Sequence, residues 1–142
     1  TAQIAALGYE AVGVDMNPRA IERARQLAPA ASFTVARLEH LPMDADAFDG
    51  ATMFDVIEHI YPSELDLSDV RRVLRPGGRM LLATPYQHAY DDFVHVAWFD
   101  EASLRAVLEE QGFRVERLWH ETRPDDHTPQ GHDRLVAWLV SE

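Results

Sequence analysis

The sequence contains no cysteine and no lysine among its 142 residues. Without cysteine, the chain has no disulfide framework, no thiolate nucleophile and no metal site with cysteine ligands. All 13 basic residues are arginine, and 24 acidic residues bring the formal net charge to −11. An acidic domain lacks the electrostatic footprint with which proteins bind polyanions. The composition therefore disfavours nucleic acid as a partner and favours a small-molecule substrate.

Long apolar runs are also absent, since a membrane-spanning helix needs about 20 consecutive apolar residues. No charged-then-apolar leader is visible at the start of the sequence. We therefore expect no membrane partner and a cytoplasmic location. With 46% hydrophobic and 26% charged residues, the chain has the composition and size of one globular domain, residues 1–142. The sequence leaves a monomer and a homodimer open.

Apolar strand-like segments alternate with amphipathic helix-like segments along the chain. This alternation is typical of an α/β fold with a mostly parallel sheet and helices on both faces. Two strand-like segments at the C-terminus, separated by a polar loop at residues 121–133, predict an antiparallel hairpin. Strands are predicted at residues 11–15, 32–36, 49–54, 79–84, 113–119 and 135–140, and helices at residues 18–27, 65–74 and 101–111.

Asp15 ends the first predicted strand and lies just before a helix cap, Asn17-Pro18. The carboxyl end of a strand in an open α/β sheet is where an acidic residue binds both hydroxyls of a ribose. A solvated aspartate at a strand end has the same sequence pattern, and nicotinamide-binding folds use the same device. Asp15 by itself therefore leaves the type of nucleotide open.

A second group of polar residues follows the third predicted strand. Phe54 closes that strand, and Asp55, Glu58 and His59 come directly after it. His95 lies beyond the next strand. An imidazole titrates near neutral pH, so His59 and His95 are candidate general bases. The alternative is that Glu58 and His59 cap a helical turn and that His95 orders a loop.

Four segments, in this order, resemble motifs of class I S-adenosylmethionine-dependent methyltransferases. The first is similar to the family's second strand, acidic ribose-binding residue and following helix, and the second to its third-strand loop. The last two resemble its fourth and fifth strands. The segments are AVGVDMNPRAIERA (11–24), LEHLP (38–42), FDGATMFDVIEHI (48–60) and RVLRPGGRMLLATPY (72–86). The resemblance covers roughly residues 1–119 and implies a Rossmann-like methyltransferase fold with an antiparallel C-terminal hairpin.

The resemblance implies S-adenosyl-L-methionine as cofactor. Asp15 would bind its ribose, Met16 would pack on the adenine ring, and the Leu38 amide would bind the adenine edge. Phe54 and Asp55 would lie beside its methionine part. The sequence departs from the family at Arg37, which stands where an aspartate usually bonds the adenine amino group.

The implied activity is methyl transfer to a small-molecule acceptor, as in quinone biosynthesis, with oxygen favoured over nitrogen and carbon as the receiving atom. His59 and His95 are the implied catalytic residues. Aromatic and imidazole side chains near His95 are candidates for lining the acceptor pocket: Tyr86, His88, Tyr90 and Trp98.

Three alternatives stay open. Asp55, Glu58, His59 and His95 have the residue types and order of a divalent-metal site in enzymes that 2′-O-methylate the 3′ end of small RNAs. Their oxygen and imidazole ligands suit magnesium, manganese or cobalt. A catalytically inactive, methyltransferase-like binding module is the second alternative. A nicotinamide-dependent oxidoreductase is the third, and it leaves the DVIEH and RVLRPGG segments without a role.

The family's glycine-rich loop, which binds the cofactor through backbone amides, has no counterpart in this sequence. Thr1–Gly8 resembles the helix that follows that loop. We therefore expect an N-terminally incomplete domain without the family's first strand, which normally lies between the second and fourth. Two apolar sheet edges would then be exposed, and a 142-residue chain made alone would be unstable or aggregate.

Overall fold

A computed structural model describes residues 1–86, 94–125 and 128–142 of the chain. The chain divides into two compact units, Thr1–Pro42 and Met43–Glu142. A single domain over residues 1–142 stays a prediction. None of the described helices combines the length and the apolar character that crossing a membrane requires.

The first unit is a two-stranded parallel sheet with two helices. Its elements are α1 (Ala2–Ala6), β1 (Val12–Asp15), α2 (Pro18–Leu27) and β2 (Ser32–Val35). The Asn17 side chain accepts a hydrogen bond from the Arg19 amide, and Pro18 occupies the first helical position, so α2 begins where the sequence predicts. The three elements predicted at residues 11–36 are confirmed to within one residue.

The second unit contains a four-stranded sheet in the order β3-β4-β6-β5. β3 and β4 are parallel, whereas β6 is antiparallel to both of its neighbours, which confirms the C-terminal hairpin. Short 3₁₀ turns at Ile57–His59 and Pro62–Glu64 follow β3. The helices and strands are β3 (Phe48–Phe54), α3 (Ser68–Val73), β4 (Leu74–Pro85), α4 (Glu101–Glu110), β5 (Phe113–Asp125) and β6 (Thr128–Ser141).

The core of the second unit lies on the two central strands. Residues 80–85 of β4 and 135–140 of β6 are nearly continuous apolar runs, as expected for strands that are buried on both faces. Leu82 and Leu139 are fully buried on these strands, and Leu104 and Leu108 of α4 are fully buried as well. β3 pairs with β4 at one side of this core, and the candidate site is built from the ends of these two strands.

Three predicted boundaries in the second unit are wrong. The helix predicted at residues 65–74 begins only at Ser68, because the Gln111 side chain binds the Leu67 amide and the Leu65 carbonyl, at 2.8 and 3.0 Å. The strand predicted at residues 79–84 already begins at Leu74, and Gly77, with a φ of 75°, lies within it. The loop predicted at residues 121–133 is largely strand, because β5 and β6 continue their pairing through it.

β1 and β3 each have one partner strand within the described ranges, β2 and β4 respectively. Val12 and Val14 of β1 are 38% and 40% exposed. The predicted instability of the isolated 142-residue chain stays a prediction.

Candidate active site

The chain bends directly after β3. Phe54 is the last residue of the strand and lies opposite Ala83 of β4. Asp55 then adopts a left-handed conformation with a φ of 55°, and its amide donates to the Ala83 carbonyl at 3.0 Å. Aspartate is one of the few residues that tolerate this backbone region. The turn directs the chain into the 3₁₀ segment that carries Glu58 and His59.

Glu58 is a buried carboxylate at this turn, with only 1% of its surface exposed. The Thr84 hydroxyl donates to Glu58 Oε2 at 3.0 Å. Glu58 Oε1 has no hydrogen-bond partner in the part of the chain that the structure describes. Burial raises the pKa of Glu58, and hydrogen bonds from its own backbone and from Thr84 partly oppose that effect. The neighbouring charge of Asp55 raises this pKa further.

Backbone hydrogen bonds fasten the segment around His95 onto the same turn. The Glu58 carbonyl accepts from the amides of Val96 and Ala97, at 2.8 and 3.1 Å. The His95 ring therefore lies beside the His59 ring, with 4.9 Å between their centroids. The indole of Trp98 packs edge-on against His95 at 5.4 Å.

Glu58, His59 and His95 form one cluster, in which one ligand atom of each lies within 4.8 Å of the others. His59 Nδ1 lies 3.2 Å from the Val94 carbonyl oxygen. Because a carbonyl only accepts hydrogen bonds, Nδ1 is the donor in this contact, and in the neutral ring the lone pair lies on Nε2. The cluster can accept a proton or bind a metal ion at His59 Nε2.

Asp55 is the one member of the predicted four-residue metal site that lies outside this cluster. Its carboxylate accepts a hydrogen bond from Arg134 Nη2 at 3.0 Å, within an ion pair. The structure thus brings Glu58, His59 and His95 together, whereas Asp55 pairs with Arg134.

The predicted cofactor-binding residues of the first unit lie at the end of β1 and just after β2. Asp15 is exposed, and its Oδ1 accepts from the Asn17 amide at 2.7 Å. Met16 is 63% exposed. Leu38 occupies a tight turn that is closed by a 3.1 Å hydrogen bond from the His40 amide to the Arg37 carbonyl. The Asp15 carboxylate and the Met16 thioether are therefore neighbours, and both are accessible to a ligand.

The Arg37 side chain, at the position where the family has an aspartate, forms an ion pair within this turn. Its Nε lies 3.2 Å from Glu39 Oε2. The hydrogen bond from its own backbone lowers the pKa of Glu39, and Arg37 lowers it further. Glu39 thus pairs with the neighbouring arginine of the same turn.

A cavity of about 160 Å³ lies between β1 and α2, lined by residues that include Gly13, Asp15, Ile21 and Phe33. Ligand sites usually measure about 300–1,000 Å³. This cavity is therefore too small to hold a nucleotide, and we do not assign the cofactor to it.

The structure places two of the four residues proposed to line the acceptor pocket. Trp98 is 36% exposed beside His95. Tyr86 packs against the His120 ring instead, with 4.6 Å between centroids. His88 and Tyr90 lie outside the described residues.

Thr84, Val94 and Arg134 belong to the site but are absent from the sequence-based predictions. Thr84 can be recognised in the sequence, because it is the one polar residue in the apolar run MLLATP at residues 80–85. Arg134 opens the apolar run RLVAWLV at residues 134–140. No pattern in the sequence points to the Val94 carbonyl, because its role depends on where the backbone lies.

Comparison with known proteins assigns the family. The family model described as "Methyltransferase domain" matches residues 1–82. The chain is 29% identical over 120 residues to a probable S-adenosylmethionine-dependent methyltransferase of Mycolicibacterium smegmatis, covering 80% of this chain and 47% of that protein. It is 34% identical over 95 residues to the mitochondrial ubiquinone biosynthesis O-methyltransferase of Candida albicans, covering 61% and 27%.

Among solved structures, an S-adenosylmethionine-dependent methyltransferase of Methanosarcina mazei has the same fold. The TM-score is 0.83 at 20% identity, over 98% of this chain and 85% of the other. The chain spans about half the length, or less, of these two curated relatives. The family model, the relatives and the fold agree with the four sequence motifs, and the chain belongs to the class I S-adenosylmethionine-dependent methyltransferases.

Proposed function

We propose that the protein transfers the methyl group of S-adenosyl-L-methionine to an oxygen of a small-molecule acceptor, with His59 and His95 as proton acceptors. The observation that carries this proposal is the paired imidazoles at the end of β3, where His59 Nε2 has a lone pair. The carboxyl ends of strands are where open α/β sheets bind their ligands. Trp98, beside His95, offers an apolar face to an acceptor ring.

The chemistry is an in-line displacement at the methyl carbon. The acceptor oxygen forms a bond to this carbon while the bond from carbon to sulfur breaks, and S-adenosylhomocysteine leaves. The hydroxyl proton of the acceptor passes to His59 Nε2. Because the methyl donor is already activated by its positive sulfur, positioning of the two reactants supplies most of the acceleration. The protein contributes alignment, exclusion of water and a proton acceptor.

In this proposal, Asp15 accepts hydrogen bonds from the ribose hydroxyls, Met16 packs on the adenine and the Leu38 amide bonds its edge. Phe54, half exposed at the end of β3, and the neighbouring Asp55 lie beside the methionine part. The exposed Asp15 carboxylate supports the ribose assignment, since Oδ1 is already oriented by the Asn17 amide.

Replacing Asp15 with alanine is expected to weaken S-adenosylmethionine binding at least tenfold, because hydrogen bonds to a charged group contribute about 1.5–3 kcal/mol. Calorimetric titration of the full-length protein measures the dissociation constant. Glu22→Ala removes an exposed carboxylate from α2 and serves as the matched control. A folded wild-type protein that binds no cofactor would support the inactive binding module instead.

Two observations support the proposed class of acceptor: the net charge of the chain and the name of one relative. A net charge of −11 disfavours a polyanionic acceptor such as RNA. The relative from Candida albicans is named for ubiquinone biosynthesis and O-methylation. We therefore propose a small phenol-like or quinol-like hydroxyl as the acceptor. A cytoplasmic location and the choice between monomer and homodimer stay predictions.

A second candidate is a metal-dependent 2′-O-methyltransferase that acts on an RNA 3′ end. The observation that favours a metal is the cluster of Glu58, His59 and His95, whose donor set of one carboxylate and two imidazoles fits a divalent transition metal. Glu58 Oε1, which has no hydrogen-bond partner among the described residues, fits such an ion. The oriented His59 ring fits it too, because ligating histidines usually donate their other N–H to a carbonyl. A bound ion would polarise the acceptor hydroxyl as a Lewis acid. The acidity of the chain disfavours the RNA part of this candidate.

Adding Co²⁺ to the metal-free protein decides between the two candidates. If the metal site exists, visible absorption bands of Co²⁺ bound to nitrogen and oxygen ligands appear at a ratio of one ion per chain, and Glu58→Gln abolishes them. Glu64→Gln, at an exposed glutamate of the next 3₁₀ turn, is the control. No absorption change in the wild-type protein, together with methyl transfer that survives chelator treatment, leaves the histidine-base mechanism.

A further inference from the structure

Arg134 and Asp55 form an ion pair that the proposed reaction does not use. Arg134 Nη2 lies 3.0 Å from Asp55 Oδ2, and the two side chains are 28% and 40% exposed. Asp55 is also one of two non-glycine residues with a positive φ among the described residues. A left-handed conformation at a residue with a side chain persists only where its surroundings hold it.

The strand register shows what this ion pair connects. Arg134 lies on β6 opposite Pro85 of β4, and Asp55 follows Phe54, which lies opposite Ala83 of the same strand. The pair therefore spans the end of β4 and joins β6 to the turn after β3. Two contacts hold Asp55 itself: its amide donates to the Ala83 carbonyl, and its side chain pairs with Arg134.

This turn also positions two residues of the reactive cluster, Glu58 and His59. Glu58 and His59 lie in the 3₁₀ segment that begins two residues after Asp55. A rotation of the Asp55 backbone would swing this segment away from Thr84 and Val94, which orient Glu58 and His59 respectively. The orientation of the cluster thus depends on the Asp55 backbone as well as on these contacts.

We propose that Arg134 is a positioning residue, which holds Asp55 in its left-handed conformation and thereby sets the orientation of Glu58, His59 and the adjoining cofactor-binding backbone. This inference rests on the proposed function for its link to the cofactor. A partly exposed ion pair contributes little to global stability, so its effect is expected at the site and not in the unfolding temperature.

The test is a double-mutant cycle with two readouts. Arg134→Gln and Asp55→Asn each remove the ion pair, and asparagine still tolerates the left-handed backbone. Each is expected to weaken S-adenosylhomocysteine binding about tenfold, and the double variant no more than either alone, because coupled residues are not additive. Arg134→Lys, which keeps the charge, should bind within about threefold of the wild type. In NMR spectra of the ligand-free protein, the ring Hε1 resonance of His59 should move in both single variants.

Arg79→Gln is the matched control, because Arg79 pairs with Val140 at the opposite end of the β4–β6 ladder and its side chain lies 4.0 Å from Glu116. It should change neither readout. Variants of Arg134 that bind the ligand like the wild type and leave the His59 resonance in place would overturn the inference. Additive losses in the double variant would overturn it too. If the wild-type protein binds no S-adenosylhomocysteine, the proposed function fails, and the His59 resonance still tests the role of Arg134.

Discussion

Replacing His59 with alanine is expected to lower the rate constant for methyl transfer by about 10²- to 10⁴-fold, the usual contribution of a positioned general base. The affinity for S-adenosylmethionine should stay close to that of the wild type, because the proposed cofactor contacts do not include the His59 ring. His95→Ala should lower the rate by a smaller factor, since His95 supports the His59 ring at 4.9 Å. Single-turnover kinetics with a phenolic acceptor measure the rate constant directly.

His40→Ala is the control for these variants, because His40 is an exposed histidine in the turn after β2. It should leave the rate unchanged. A His59→Ala protein that transfers methyl groups as fast as the wild type would remove the general-base role. Catalysis would then rest on the alignment of the two reactants alone.

Replacing Glu58 with glutamine is expected to change how stability depends on pH. Burial raises the pKa of Glu58 above its unfolded value of 4.5, so the folded state favours the protonated form. The stability that this protonation contributes is fully present below pH 4.5 and is lost as the pH rises through the folded pKa. The variant has no proton to lose, so its free energy of unfolding should improve relative to the wild type as the pH rises. One titrating group changes this difference by at most about 1.4 kcal/mol per pH unit.

Urea unfolding at pH 5.5, 6.5, 7.5 and 8.5, with a chelator present, measures this difference while avoiding the sequence isoelectric point near 4.9. Glu64→Gln controls for the loss of one surface charge, because Glu64 is exposed in the next 3₁₀ turn. Its difference from the wild type should stay flat with pH. A flat difference for Glu58→Gln as well would mean that Glu58 is already charged in the folded state throughout this pH range.

Local sequence signals were sufficient to predict the strands and the helix at residues 11–36 of the first unit. Asn17-Pro18 caps α2 through contacts two residues away, so that helix begins where it is predicted. The helix predicted at residues 65–74 failed for the opposite reason. The side chain that holds residues 65–67 out of the helix belongs to Gln111, more than 40 positions away. Local patterns contain no information about such a contact.

The candidate site shows the same contrast between local sequence signals and contacts of distant residues. The sequence by itself determined the family, the exposed Asp15 at a strand end, and the residue types Glu58, His59 and His95, because motifs and strand ends are local features. Only the tertiary structure decided which of these side chains meet. The amides of Val96 and Ala97 bind the Glu58 carbonyl, and this places His95 beside His59. Asp55 pairs with Arg134 of β6, which lies 79 residues further along the chain. Pairing between distant strands sets such contacts, and the side-chain alternation within one strand does not reveal its neighbours.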